Sequence, residues 1–197
     1  MRAALAAPAL ALLLGLSTGG CGASDRLPTA STAGAPTPGW TVVHDRARGV
    51  RVAFPSSWHR ARRSLTPHLA DPREVLSVGT APLTVTPGAC AHMPVGALSR
   101  LGPGDVLVSV QEARHAGHGF PARPARFRLG SANLSEAAAC LSDPERLDTW
   151  FLPFKDGERA FYALVAVGRP VAAARRRLAE RVLDSLRFTP RRPQGAG

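Results

Sequence analysis

The clearest periodicity in the chain begins at Trp40. Thr41-Val42-Val43-His44 reads as a strand and Asp45 to Gly49 as a turn. Val50-Arg51-Val52-Ala53-Phe54 then sets apolar residues at every second position, the spacing of a strand with one buried face. Together these segments predict a hairpin. Pro55-Ser56-Ser57-Trp58 ends it, because proline has no amide hydrogen for a ladder, and Trp58 is expected over the core as a lid. Arg60 to Pro72 is polar and turn-rich, and Val75 to Thr80 predicts a third strand. Pro82, Pro87 and Gly88 mark a loop carrying Cys90. Val95, Leu98 and Leu101 recur at helical spacing until Gly102-Pro103-Gly104 stops them. Asp105 to Glu112 is a strand with Val106, Val108 and Val110 on one face and Leu107 on the other, which predicts burial on both sides.

His115 to Arg128 is rich in Gly, Pro, Arg and His and reads as a surface loop or irregular edge. Phe127 and Leu129 alternate briefly, and Leu134 to Leu141, at or beside Cys140, is weakly helical. The closing portion is stronger. Asp148 to Phe154 and Arg159 to Val167 are rich in aromatic and β-branched residues, with the hairpin signal Asp156-Gly157 between them. Pro170 suits the first turn of a helix, and Val171, Ala174, Leu178, Val182 and Leu186 form a stripe. Arg175, Arg176, Arg177 and Arg181 fall mostly off that stripe, so the helix is expected to cross the sheet with its arginines in water. The pattern predicts one α+β domain over 40–189: a mostly antiparallel β-sheet with a long C-terminal helix packed on it, followed by a disordered tail at 190–197.

The first twenty residues have a different character. Arg2 and the amino terminus supply positive charge, Ala3 to Leu16 is apolar apart from Pro8 and Gly15, and small residues follow. These are the parts of a secretory signal peptide, 1–20, and the run is short beside the roughly 20 apolar residues of a membrane span. Small residues directly before Cys21 resemble the lipobox of bacterial lipoproteins, in which the thiol is acylated and the chain is cut on its N-terminal side. Thr18 stands where that family usually has leucine. The resemblance implies lipidation at Cys21 and attachment to the outer face of the cell membrane; the alternatives are a secreted product cut near Ala23 or an uncleaved apolar stretch. Residues 21–39 hold almost no bulky apolar side chains, cannot bury enough surface to offset their ordering entropy, and read as a flexible tether behind the lipidated cysteine.

Without the leader about 177 residues remain, enough for one domain with a core. The formal charge is +11, and Lys155 is the only lysine. Arginine bias with abundant Ala, Gly and Pro points to a GC-rich coding sequence before it points to a function, yet the charge acts whatever its origin. Outside the cytoplasm it favours anionic lipid, acidic wall polymers or acidic envelope proteins. No nucleic acid partner is expected, since the leader removes the chain from that compartment and no DNA- or RNA-binding module is apparent. With Cys21 lipidated, Cys90 and Cys140 form an even pair in an oxidising compartment, which predicts a disulfide. The rival reading is a reactive thiol beside His92.

Catalytic motifs are scarce. Gly15-Leu16-Ser17-Thr18-Gly19 matches a nucleophile elbow but lies in the leader, where no strand-to-helix turn can present it. Lys155 sits in neither a P-loop nor a Ser-x-x-Lys frame. Glu112, His115 and His118 are spaced by three, but Gly117, Gly119 and Pro121 place them on a loop, so exposed histidines compete with a zinc site and no metal or cofactor is expected. The acidic groups Asp143, Glu145 and Asp148, and Asp156 with Glu158, read as solvated turn charges. Three arginine groups, Arg60/Arg62/Arg63, Arg123/Arg126/Arg128 and Arg175/Arg176/Arg177/Arg181, could form a basic face.

The hairpin ending in Phe54-Pro55-Ser56-Ser57-Trp58, the late hairpin from Trp150 to Gly168 and the helix ending Val182-Leu183-Asp184-Ser185-Leu186 resemble the PsbP/Mog1-like αβα sandwich of many small actinobacterial lipoproteins. The likeness spans Trp40 to Phe188, although the cysteine pair is not general to that fold. It implies a non-catalytic binding or accessory protein of the cell envelope. The alternative is an envelope hydrolase or metal-dependent enzyme using the His115 and His118 loop.

Overall fold

A computed structural model describes residues 38–85, 90, 92–115, 119–133 and 140–190. Strands β1 (Trp40–Asp45) and β2 (Val50–Pro55) form the expected hairpin, in register from Trp40 opposite Pro55 to Asp45 opposite Val50. A short strand β8 (Arg187–Phe188) pairs with β2 at Val50 and Arg51 and completes a three-stranded sheet in the order β1-β2-β8. The second sheet runs β3 (His59–Arg60), β4 (Arg73–Gly79), β5 (Val106–Ala113), β7 (Arg159–Gly168), β6 (Leu147–Asp156), and every pairing in it is antiparallel. Asp156 faces Arg159 across a two-residue turn, where Gly157 takes the left-handed φ of 60° that the turn demands.

The five-stranded sheet is buried on both faces, as the mixed apolar pattern of β5 predicts. On one face Val106, Val108 and Val110 join Phe161, Ala163 and Val165 of β7, together with Val52 and Phe54 of the small sheet. Helix α2 (Ala173–Ser185) covers the same face with Ala179, Val182 and Leu183, and Leu186 follows at its end. The opposite face carries Leu107, Leu164 and Ala166, covered by Leu65 and by the single-turn helix α1 (Val95–Leu98) with Leu101. Trp58 is buried in the first of these layers, as its place after the proline predicts. Cys90 and Cys140 are joined in a disulfide with Cα atoms 5.7 Å apart, which removes the reading of Cys90 as a free thiol.

Three differences from the sequence reading have physical causes. The C-terminal helix is 13 residues, shorter than the stripe from Val171 implies. Ala172 is extended and offers no side chain to cap the first turn, and Leu186 leaves the helical region to enter β8. The helix over Val95 to Leu101 is one turn, although Leu98 and Leu101 are both buried. The stretch from Arg60 to Pro72 is more ordered than its polarity implies: it contributes to β3 and buries Leu65 and Thr66. Cys21, the leader and the tether, residues 134–139 and the tail from 191 lie outside the described residues.

Candidate anion-binding site

The β1–β2 turn and the β3 edge bring arginines together around one carboxylate. Asp45 ends β1 and accepts from the backbone N–H of Arg48 at 3.1 Å, which fixes the turn. Its Oδ2 accepts from the guanidinium of Arg48 and from that of Arg60, each at 2.8 Å. Burial pushes the Asp45 carboxyl up, but the hydrogen bonds from Arg48 and the charges of Arg48 and Arg60 outweigh it. The net shift is down from the ordinary value of 3.8.

Arg62 and Arg63 follow directly after β3. Both are exposed, and neither makes an ion pair with any described residue. The segment that carries them is held from below by Glu74, which is 6% exposed. Glu74 Oε2 accepts from the backbone N–H groups of Leu65 at 2.6 Å and Thr66 at 3.2 Å, and from the Ser64 hydroxyl at 3.2 Å. Its other oxygen accepts from Ser77 at 2.7 Å. Ala61 donates to the Ser77 carbonyl at 2.9 Å, so the loop is tied at both ends. Arg48, Arg60, Arg62, Arg63, Ser64 and Glu74 line a cleft of about 400 Å³. A second cleft of about 410 Å³ shares Arg60, Arg62 and Arg63, and a third of about 290 Å³ shares Arg48 and adds Arg46, Arg73 and Arg114.

The other two arginine groups are placed differently. Arg123 donates to Asp156 at 2.8 Å and to the carbonyls of Leu183, Asp184 and Leu186, satisfying the C-terminal end of α2. Arg126 pairs with Asp184 and Arg128 with Glu180. Arg175 and Arg177 are exposed on α2, as expected, and Arg181 lies 5.2 Å over the Trp40 ring. These two groups therefore contribute no side chain to the clefts lined by Arg60, Arg62 and Arg63.

The residues considered for metal or acid-base chemistry are separated. Glu112 is buried and its Oε1 accepts from Arg159 at 2.7 Å. The His115 side chain is 88% exposed and lies 2.8 Å from Asp71. Burial raises the Asp71 carboxyl, but the N–H groups of Arg114 and His115 and the His115 ring outweigh it and hold it below 3.8. His118 lies outside the described residues. Asp148 pairs with Arg169, and Asp156 with Arg123. His92 packs against the rings of Phe151 and Tyr162, with centroids 5.9 and 5.7 Å away.

Arg48 and Glu74 are the members of the cleft that sequence proximity does not reveal, as is Asp45, which holds Arg48 and Arg60. The only linear signal is the charge-rich turn Asp45-Arg46-Ala47-Arg48, which gives no hint that Arg60 shares its carboxylate. Comparisons with family models, curated proteins and solved structures return no match.

Proposed function

We propose that this chain is a non-catalytic, lipid-anchored binding or accessory protein of the bacterial cell envelope, with a PsbP/Mog1-like domain carried on a tether. The address rests on the leader, the small residues before Cys21 and the cysteine pair suited to an oxidising compartment. The fold assignment is supported by an antiparallel sheet covered by a helix on one face and by α1 and its flanking loops on the other. A binding role without catalysis is supported by the engagement of Glu112, Asp148 and Asp156 in separate ion pairs.

The observation that carries the binding role is the pair Arg62 and Arg63, held beside Arg48 and Arg60 on a tied loop with no acidic partner of their own among the described residues. The partner is acidic: anionic lipid, wall polymer or envelope protein. Two measurements test this reading. Native material should carry acyl groups on an N-terminal Cys21, and Cys21→Ser should move the protein out of the membrane fraction; an unmodified start overturns the address. Cross-linking in cells should retrieve an acidic partner that the triple variant R60Q/R62Q/R63Q loses, and unchanged retrieval overturns the role given to the arginines.

A further inference from the structure

Resting on the reading of this edge as a binding surface, we propose that the cleft formed by Arg48, Arg60, Arg62 and Arg63 is a site for phosphate monoesters, carried along an extended polymer. A carboxylate carries one charge and two oxygens, which one or two guanidinium forks satisfy. Asp45 shows this directly: it engages Arg48 and Arg60 and leaves Arg62 and Arg63 unmatched. Guanidinium forks beyond that number suit a group with more acceptor oxygens and more charge, and arginine meets phosphate in that bidentate way.

The site is also built rather than merely charged. Glu74 spends both oxygens on the loop beneath the cleft, with Leu65 anchored in the core, so Arg62 and Arg63 leave the backbone from fixed points. Pre-organised donors lose less freedom on binding than donors on a loose loop. The volume of about 400 Å³ falls within the range of small-ligand clefts, roughly 300 to 1,000 Å³. Beyond Arg48, the arginines Arg46, Arg73 and Arg114 continue into a neighbouring cleft, which fits a repeating anion better than a lone ion. The clefts are concave, whereas a flat bilayer meets only their rims.

The test titrates the full chain with polyphosphoserine and with polyglutamate of matched charge, by calorimetry at low salt, and adds phosphatidylglycerol vesicles as competitor. Polyphosphoserine should bind more tightly than polyglutamate, and the vesicles should not displace it. R62Q/R63Q should weaken polyphosphoserine binding by about tenfold or more, since two charge-assisted contacts are lost. R175Q/R177Q, which removes equal charge from the exposed helix, should leave it unchanged. Both pairs are exposed, and an unaltered thermal midpoint confirms that each variant folds. Equal affinity for the two polymers, equal loss in both variants, or displacement by the vesicles overturns the proposal. Binding of polyglutamate alone removes the phosphate site and leaves the acidic-partner reading standing; binding of neither polymer removes both.

Discussion

Arg159 Nε donates to Glu112 Oε1 at 2.7 Å, with the two side chains 5% and 2% exposed. The same guanidinium donates to the carbonyls of Arg48, Gly49 and Thr189 and lies over the rings of Phe161 and Phe188. It therefore braces the β1–β2 turn and the segment after β8 against the large sheet. Arg159→Met leaves Glu112 buried without this cation and should cost about 3 to 5 kcal/mol in urea unfolding. The double variant R159M/E112L should recover part of that loss, because the buried carboxylate is then removed together with its cation. A single variant as stable as the parent would remove the brace from the account.

Asp45 should make stability depend on acid. Its carboxyl titrates below 3.8 in the folded chain because Arg48 and Arg60 favour the ionised form. A depressed pKa contributes stability that is complete above the unfolded value and fades as pH falls through the folded one. The stability gap between the parent and Asp45→Asn should thus be widest near neutrality and should close below about pH 4. A gap that is flat from about pH 6 to about pH 2 would contradict the pairing.

The disulfide spans 50 residues of sequence. On the chain-entropy model, closing such a loop contributes about 4 kcal/mol. C90S/C140S should lower the urea midpoint by a corresponding amount, and alkylation of the unreduced native chain should label neither position. Labelling of either cysteine without reductant would show that the bond does not form.

Ser185 extends the work of a missing strand. Beyond Arg51, β2 has no partner in β8, and the Ser185 hydroxyl accepts from Ala53 N–H at 2.9 Å with the Ala53 carbonyl also 2.9 Å away. Ser185→Ala should destabilise the domain by about 1 to 2 kcal/mol, read from chemical denaturation. Hydrogen exchange at Ala53 should speed up more than at Val52; uniform exchange would show that the hydroxyl is not the relevant acceptor.

Much of the fold was legible because its signals are local. Val50, Val52 and Phe54 alternate, Val106, Val108 and Val110 do the same with Leu107 between them, and Asp156-Gly157 announces its turn. The C-terminal stripe was legible as a helix but not in its length, since period alone does not register that Ala172 cannot cap. The division into two sheets was not legible, because β8 is two residues long and owes its pairing to β2, far back in the chain. The candidate site was half legible. Arg60, Arg62 and Arg63 stand together in the chain, but Arg48 joins them only through Asp45, and Glu74 holds their loop from a different strand.

Strand β1 has six residues, so at about 3.3 Å per step its ends lie roughly 17 Å apart. Trp40 is at the end where the chain enters the domain, and Asp45, with its arginines, is at the other. A ligand seated on those arginines would therefore meet the domain one strand's length away from the residue at which β1 begins.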